Sequence, residues 1–261
     1  MAKLEFSKKK FIISAAADGI GLVIAKKIVE NGGIVYISDI DEIKINKIKS
    51  NKKYKNKIFA EKINCSKPEQ VKKYFDSLKS VKKFDGLVNN IGIAGPTKYI
   101  QDISIDEWKN TIDVNINSHF YFSKYAIPFL KRNKGGAIIN LSSTAGIFGF
   151  PQRTPYAVSK WGIVGLTKTL AMELGKNKIR VNGICPGSVE GDRMRRVINA
   201  KANLLKEKPT KIKKELETMV SLKSFVSHTD IASIALYLLS EKSKNISGQI
   251  IAVDGNTERM I

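Results

Sequence analysis

Residues 11–29 read FIISAAADGIGLVIAKKIV, and this stretch decides the fold. The apolar run from Phe11 to Ser14 indicates a short buried strand. A turn of small residues follows and ends in Gly19-Ile20-Gly21, after which apolar residues recur three and four positions apart, as in an amphipathic helix. The stretch therefore predicts a strand, a turn and a helix whose N-terminus presents free N–H groups, an arrangement that suits a pyrophosphate.

The same alternation of strand and helix patterns continues along the chain. Further apolar runs indicate strands at residues 33–38, 57–63, 84–88, 137–141 and 179–185. Strands that alternate with helices predict an α/β fold, a doubly wound, Rossmann-like parallel sheet in three α/β/α layers. With 261 residues, a single domain spanning residues 1–261 is the simplest organisation.

Composition excludes several other classes of protein. No apolar run is long enough to cross a membrane, and Met1 to Lys10 lack the apolar core of a signal peptide. We therefore expect a soluble, cytoplasmic protein with no membrane partner. The two cysteines, Cys65 and Cys185, have no metal-ligand spacing, so idle thiols are expected rather than a disulfide or a metal site.

The formal charge of +21 is of the kind that nucleic-acid-binding proteins carry. The basic residues are scattered along nearly every predicted helix and loop, however, and aromatic residues are not interleaved with them as a base-stacking surface requires. We expect no specific nucleic-acid partner. Weak, salt-sensitive adhesion to polyanions follows from the charge alone.

The residues best suited to proton chemistry lie within residues 140–168. Ser143 follows a strand-like run, so its hydroxyl emerges at a strand end, where open α/β sheets hold their ligands. Tyr156 and Lys160 are four apart, which puts them on one face of a helix, where the lysine charge favours a phenolate. By itself such a pair is weak evidence, because it is far more often a tyrosine that packs under a lysine stem.

A carboxylate, Asp39, ends the second predicted strand roughly twenty residues after the glycine turn. At that position a carboxylate accepts hydrogen bonds from the adenosine ribose and repels a 2′-phosphate. Asp39 therefore favours NAD over NADP, although the nearby Lys44 weakens the repulsion. The alternative is an aspartate that only caps the following helix.

Several short motifs, in this order, resemble those of the classical short-chain dehydrogenase/reductase family. They are Ser14 to Gly21 for Thr-Gly-x-x-x-Gly-x-Gly, Asn89-Asn90-Ile91-Gly92 for Asn-Asn-Ala-Gly, Val114-Asn115, Ser143, Tyr156-x-x-x-Lys160, Pro186-Gly187 and the closing strand within residues 248–255. The resemblance spans residues 12–255. It is far more specific than any single motif.

The resemblance implies a catalytic set and a cofactor. Tyr156 would exchange a proton with the substrate, Ser143 would hydrogen-bond the substrate oxygen, and Asn115 would hold a water that relays protons to Lys160. The cofactor-binding residues it implies are Ser14, Asp18, Gly19, Ile20, Gly21, Asp39, Asn64, Cys65, Asn90, Gly92, Tyr156, Lys160, Pro186, Gly187 and Val189. The expected activity is NAD-dependent interconversion of a secondary alcohol, hydroxy acid or polyol and its carbonyl compound, with no metal. For Asn115, the residues alone leave open a buried amide bonded only to backbone.

Two positions depart from the family pattern in ways that bear on the cofactor. Ala15 replaces the first glycine of the turn, where a Cβ costs strain if the backbone needs a positive φ or a very close phosphate. Asn64 replaces an aspartate that contacts the adenine in the family, and its amide can still accept and donate.

The substrate is less well defined by the sequence. Residues 188–225 are polar, basic and helix-prone, and the family's substrate-covering segment lies here. Arg153, between Ser143 and Tyr156, and Arg193, near the start of that segment, suggest an anionic substrate. In so basic a chain, either arginine can equally be only a solvated charge.

Assembly is expected by analogy with the family, which commonly forms tetramers through the Asn115 helix and the Tyr156 helix. Trp161, Gly162 and Gly165 would offer a flat surface for close helix contact, so we expect a homotetramer or a dimer.

Two rival functions fit many of the same motifs. A 3-oxoacyl-carrier-protein reductase-like enzyme would share most of them, but the resemblance implies NADPH for it, and Asp39 opposes NADPH. A non-catalytic dinucleotide-sensing or nucleic-acid-associated protein of this fold would keep the sheet, whereas it would have no need of all four catalytic residues.

Overall fold

The computed structural model describes residues 5–260 and contains one seven-stranded parallel sheet, which confirms the predicted doubly wound α/β fold. The sheet order is β3-β2-β1-β4-β5-β6-β7. The strands are β1 Lys10–Ser14, β2 Ile34–Asp39, β3 Ile58–Lys62, β4 Gly86–Asn89, β5 Gly136–Leu141, β6 Ile179–Pro186 and β7 Ile250–Val253. Residues 1–4 and 261, the ends of the predicted domain, lie outside the described residues.

Helices cover both faces of the sheet and complete the three layers. They are α1 Gly19–Glu30, α2 Glu42–Lys49, α3 Pro68–Ser77, α4 Ile105–Ile112, α5 Ser118–Arg132, α6 Thr154–Leu174, α7 Asp192–Leu205, α8 Pro209–Thr218 and α9 His228–Leu239. One apolar core lies between the sheet and α1, α2 and α9, and a second lies under α3, α5 and α6. Among the described residues, no helix is both long and apolar enough to cross a membrane.

The strand order reverses beside β1, which pairs with β2 on one side and with β4 on the other. Connections after β1 and β4 therefore leave in opposite directions and open a crevice at the carboxyl edge of the sheet. This is the place where doubly wound sheets bind ligands. The Gly19 turn and the Asn89-Asn90 turn both lie at this edge.

The helical segment that starts after Ser104 is interrupted between α4 and α5. Its capping box is present, because Ser104 Oγ accepts a bond of 3.1 Å from the Glu107 N–H and the Glu107 carboxylate accepts one of 2.9 Å in return. A π-helical turn, Asp113–Asn117, then separates α4 from α5. Such a turn holds one extra residue, so it redirects the side chains that follow it. The extra residue could not be anticipated from the apolar periodicity.

The prediction of a flat helix surface for oligomerisation requires a correction at Gly162. A Cβ on Gly162 would lie 2.3 Å from Ile116 Cδ1, so this glycine allows α6 to approach the π turn of the same chain. Gly165 differs, since nothing lies within 4 Å of the place its Cβ would occupy. Of the three residues predicted for this surface, Gly165 and the half-exposed Trp161 remain available for contact with another chain.

The segment predicted to cover the substrate forms a helix pair. Helices α7 and α8 pack on each other through a small apolar cluster made of Ile198, Ala202, Ile212 and Leu216. A parallel bridge between Val189 and Val226 ties the two ends of the segment together. The pair lies beside the carboxyl edge of the sheet and forms one wall of the cavity there.

Candidate active site

A cavity of about 840 Å³ opens at the carboxyl edge of the sheet, at the strand-order reversal. This volume is within the range of cofactor-sized sites. The predicted site residues in its wall are Asp18, Gly19, Ile20, Asp39, Asn64, Cys65, Asn90, Gly92, Ser143, Arg153, Tyr156, Lys160, Pro186, Gly187, Val189 and Arg193. Three predicted site residues, Ser14, Gly21 and Asn115, do not line the cavity and lie behind its wall.

Ser143 lies just beyond the end of β5 and reaches the cavity wall. Its Oγ accepts a hydrogen bond of 3.2 Å from the Ala145 N–H, which leaves its own O–H free to donate. The neighbouring Ser142 is fixed instead, because its hydroxyl donates to the Lys160 carbonyl at 2.8 Å. Of the two serines, Ser143 is therefore the one that can hydrogen-bond a ligand oxygen.

Tyr156 and Lys160 lie one turn apart near the start of α6, as their spacing predicted. The Lys160 Nζ lies 5.7 Å from the centre of the Tyr156 ring and donates to the Leu141 carbonyl at 2.9 Å. The guanidinium of Arg153 lies on the same ring, 5.2 Å from its centre. Two cations therefore flank the Tyr156 ring.

Lys160 is almost completely buried, with 4% of its surface exposed. Burial, and secondarily the positive charge of Arg193, lower its pKa to about 7. Its single protein partner is a backbone carbonyl, and among residues 5–260 no carboxylate forms an ion pair with it. A bound anion would raise this pKa again and restore the charge.

Asn115 is fully buried within the π turn, and its amide is used entirely within the protein. Its Oδ1 accepts from the Ile93 N–H at 2.7 Å, and its Nδ2 donates to the Ile93 carbonyl at 3.1 Å and to Ser159 Oγ at 3.0 Å. The side chain thus holds the loop after β4 against α6. Any relay through Asn115 would have to use its backbone carbonyl.

The turn between β1 and α1 has the shape required for close approach of a ligand. A Cβ on Gly21 would lie 2.6 Å from Asn90 Nδ2 and 2.8 Å from the Ala16 Cα, so only glycine fits there. Asn90 Nδ2 in turn donates to the Ala15 carbonyl at 2.7 Å, and Ser14 Oγ accepts from the Asn90 N–H at 3.1 Å. Ser14 and Gly21 therefore support the turn from behind.

Ala15 adopts a φ of +50°, which confirms that this position needs the left-handed conformation. We expect Ala15→Gly to raise the free energy of unfolding by about 0.5–1 kcal/mol, because relief of the left-handed strain exceeds the entropic cost of glycine. Urea denaturation of the two proteins measures it. The adjacent Ala16→Gly, at a fully buried position without positive φ, should instead destabilise the protein. An unchanged or lower stability of Ala15→Gly would contradict the strain.

The N-terminus of α1 opens into the cavity, but it is partly occupied. Asp18 caps it by accepting from the Gly19 N–H at 2.7 Å, and it forms an ion pair of 2.8 Å with Lys44. Both contacts lower the pKa of Asp18, the Lys44 bond most strongly. His228, for which no site role was predicted, also lines the cavity here, and its Nε2 lies 3.9 Å from the place of a Gly19 Cβ.

The far end of the cavity is bordered by Asp39, Asn64 and Cys65. The Asp39 carboxylate is held in place by the Ala17 N–H at 3.0 Å and the Asp41 N–H at 3.1 Å. Asn64 Oδ1 accepts from both the N–H and the hydroxyl of Ser66, so only its NH₂ group is left for a ligand. Burial raises the pKa of the Cys65 thiol to about 12, which makes it inert.

The turn after β6 forms the opposite wall. A Cβ on Gly187 would lie 2.7 Å from the Asp254 Cβ, so this position also requires glycine. Val226 bonds to Ser188 and Glu190, on either side of Val189. In a parallel bridge of this kind the N–H and C=O of Val189 point away from Val226, and they are therefore free for a ligand.

The two arginines predicted at the substrate side both reach the loop after β4. Arg153 Nη2 donates to the Ala94 carbonyl, and Arg193 Nη2 donates to the Gly92 carbonyl. Together with Asn115 they fix this loop. Arg153 is buried and Arg193 is exposed, so only Arg153 departs from an ordinary solvated cation.

One buried residue of the cavity wall, Lys201, was missed by the sequence analysis. It lies on the inward face of α7, in register with Met194 and Ile198, and it is 6% exposed. The signal was present, because Lys201 falls at a position of the apolar stripe of that helix. Because lysines are scattered along most predicted helices, the position of Lys201 in this stripe did not stand out in the sequence.

No cluster of three or more His, Cys, Asp or Glu side chains that could hold a metal ion occurs within residues 5–260. His119 is fully buried behind the site, where burial and the charge of Lys160 lower its pKa to about 3. Neither of its ring nitrogens has a protein partner among the described residues.

The sequence and the fold are similar to known proteins along almost the whole chain. The family described as Enoyl-(Acyl carrier protein) reductase matches residues 15–256. Trans-4-hydroxycyclohexanecarboxylate dehydrogenase of Sinomonas cyclohexanicum is 33% identical over 95% of this chain and 92% of its own. The 3-oxoacyl-[acyl-carrier-protein] reductase of Thermotoga maritima is 30% identical over 95% of this chain and 96% of its own. The crystal structure of an NAD⁺-bound xylitol dehydrogenase superposes with a TM-score of 0.90 at 25% identity, covering 96% of this chain and 99% of that chain.

Proposed function

Because the chain belongs to the short-chain dehydrogenase/reductase family, whose members act on CH–OH groups, we propose that it interconverts a secondary alcohol and its carbonyl compound with NAD. The observation that carries the proposal is the convergence of Ser143, Tyr156 and Lys160 on one wall of the cavity. The glycine turn and Asp39 border the same cavity. One site can therefore hold both a dinucleotide and a small substrate.

The residues present fit a dinucleotide. Its pyrophosphate would lie at the N-terminus of α1, where Gly19 and Ile20 present their backbone and Gly21 permits close packing. The ribose hydroxyls would bind Asp39, and the carboxamide would bind the free backbone groups of Val189. When bound, the nicotinamide supplies the hydride chemistry.

The protein's own residues move the proton and orient the reacting carbon. In oxidation Tyr156 takes the alcohol proton, and in reduction it donates a proton to the carbonyl oxygen. Ser143 donates its free O–H to that same oxygen. Lys160 favours the phenolate by its charge, and Asn115 keeps Lys160 and the loop after β4 in register.

Parallel titrations with NADH and NADPH, followed by nicotinamide fluorescence at moderate salt, test the proposal. We expect selective binding of NADH, and turnover of secondary alcohols with NAD. The NAD⁺-bound state of the similar xylitol dehydrogenase structure supports NAD as the cofactor. Binding of neither nucleotide would favour a non-catalytic member of the fold instead.

The charge of Asp39 should determine the choice of cofactor. We expect Asp39→Asn, which removes the charge and leaves either the Ala17 or the Asp41 N–H without its acceptor, to weaken NADH binding and strengthen NADPH binding, each by about tenfold. The nearby cation Lys44 is already paired with Asp18, so it offsets little of this effect. The matched control is Asp41→Asn, which retains a good helix cap and should leave the preference unchanged. An unaltered preference in Asp39→Asn would mean that the carboxylate only organises the turn.

One alternative has a specific observation in its favour. The Thermotoga maritima relative is named a 3-oxoacyl-[acyl-carrier-protein] reductase, so a carrier-bound 3-oxoacyl group is a second candidate substrate. A preference for NADPH in the titrations, with turnover of acetoacetyl thioesters, would favour this alternative over the first.

We also propose a homo-oligomer, tetramer or dimer, through the outer faces of α5 and α6. Four large apolar side chains are strongly exposed on these helices: Phe120, Val158, Trp161 and Met172. Exposed apolar patches of this kind mark interaction sites. Sedimentation of the purified protein measures the assembly.

A further inference from the structure

Besides Lys160, two cationic side chains are buried in the cavity wall and form no ion pair there. Arg153 is 3% exposed and Lys201 is 6% exposed, and both line the cavity. Within residues 5–260 neither forms an ion pair with a carboxylate. Burying a charge without a partner is costly, so proteins rarely keep such residues unless something pairs with them.

The surroundings of Arg153 satisfy only part of its guanidinium. Nη2 donates to the Ala94 carbonyl, and the group lies between the rings of Phe150 and Tyr156, 5.4 and 5.2 Å from their centres. Its buried Nε has no partner among the described residues. A fixed guanidinium with unused N–H groups is well suited to bind an anionic oxygen.

Lys201 reaches the cavity from the α7–α8 helix pair. Its ammonium makes no hydrogen bond among the described residues, although Glu215 on α8 is close enough for its charge to raise the pKa. Burial has the larger effect and lowers the pKa of Lys201, and the charge of Arg153 lowers it further. The two cations therefore share one electric field, and the charge of Arg193 also acts on Arg153.

We propose that Arg153 and Lys201 bind an acidic group of the substrate, so that the alcohol oxidised at Tyr156 is part of a hydroxy acid. This inference rests on the proposed function for the reaction, but the anion site itself does not depend on turnover. Because Arg153 packs on the Tyr156 ring, the acidic group lies near the reacting carbon. The wall around Lys201 is apolar, formed by Ile198, Ile212 and Leu216, and it fits a hydrocarbon body.

Binding of stable probes to the protein loaded with NADH tests the proposal without requiring a reaction. The probes are cyclohexanecarboxylate, cyclohexyl phosphate and the neutral cyclohexanecarboxamide, measured by calorimetry and by thermal denaturation. We expect the anions to bind and the carboxamide to bind at least about tenfold more weakly, since charged hydrogen bonds contribute more than neutral ones. The tighter of the two anions supports the proposal and identifies the acidic group as carboxylate or phosphate. Equal binding of the carboxamide overturns it.

Lys201→Met separates a binding role from a structural one. We expect this variant to bind the anions at least about tenfold more weakly, and to be at least as stable as the parent without ligand, because an unpaired buried charge is removed. Lys214→Met removes an exposed cation from α8 and should match the parent in both measurements. If Lys201→Met bound the anions as well as the parent does, or if the variant were less stable than the parent without ligand, Lys201 would only support the α7–α8 helix pair.

The experiments distinguish failure of the proposed reaction from failure of the proposed anion site. Anion binding that depends on Lys201, without oxidation of any alcohol, would remove the proposed reaction and leave the anion site. Oxidation of neutral alcohols, with no effect of Lys201→Met on hydroxy acids, would support the reaction and overturn the anion site.

Discussion

Replacing Tyr156 by phenylalanine should lower kcat by about 10²–10⁴-fold, the usual contribution of a positioned general acid or base. The variant keeps the ring that packs against Arg153 and Lys160 and loses only the hydroxyl. Among the described residues that line the cavity, Tyr156 is the only phenol, and two cations flank it. The proton would have to move to or from water, without an oriented partner.

The Tyr156→Phe measurement must distinguish chemistry from cofactor binding, because Tyr156 is also proposed to contact the nucleotide. We expect the dissociation constant of NADH to change by less than about tenfold while kcat falls by orders of magnitude. Tyr237→Phe, on α9 and outside the cavity wall, provides the matched control. If Tyr156→Phe retained most of its kcat, the proton would have another donor and the proposed roles would be wrong.

Much of the fold could be predicted because its signals are local. The run from Phe11 to Ser14 and the glycine turn specify a strand, a turn and a helix within twenty residues of chain, and the structure has β1 and α1 there. The Tyr156 and Lys160 spacing likewise needs only one helix. The capping box formed by Ser104 and Glu107 likewise indicates the start of α4, because both of its hydrogen bonds are local.

The features that the sequence did not reveal depend on tertiary packing. The π turn contains Asn115, whose amide bonds to Ile93, 22 residues earlier in the chain. Gly162 contacts Ile116 of its own chain, and nothing in the composition of α6 distinguishes this from contact with a partner. Burial of Lys201 depends on how α7 packs against α8. Residue type alone cannot report such environments.

Residues that were predicted from the sequence and residues that were not both contribute buried positive charge to the cavity wall. Lys160, Arg153 and Lys201 are all buried, and none has a carboxylate partner among the described residues. The free protein therefore carries an electrostatic cost that a dinucleotide phosphate or an acidic substrate would relieve. Stability in the absence of ligands should be reduced by the same charges that activity requires.

Lys160→Met should show most clearly that a charge required for activity reduces the stability of the free protein. We expect the variant to lose activity and yet to be more stable than the parent at neutral pH by about 1–4 kcal/mol, the range observed when buried ion pairs are replaced by apolar residues. The pKa of Lys160 is about 7 in the folded protein and 10.5 in a free side chain. Between these values the folded parent binds fewer protons than the unfolded chain, so its free energy of unfolding rises with pH.

The stability difference between Lys160→Met and the parent should therefore be largest at or below about pH 7 and shrink steadily towards about pH 10. Urea denaturation of both proteins at a series of pH values measures it. Lys168→Met, which removes an exposed cation from the same helix, should show no such convergence. A difference that is independent of pH would mean that the charge of Lys160 costs nothing in the folded protein. In that case another group of the protein would have to pair with the Lys160 ammonium. The buried cations of the cavity wall would then no longer require an anionic ligand.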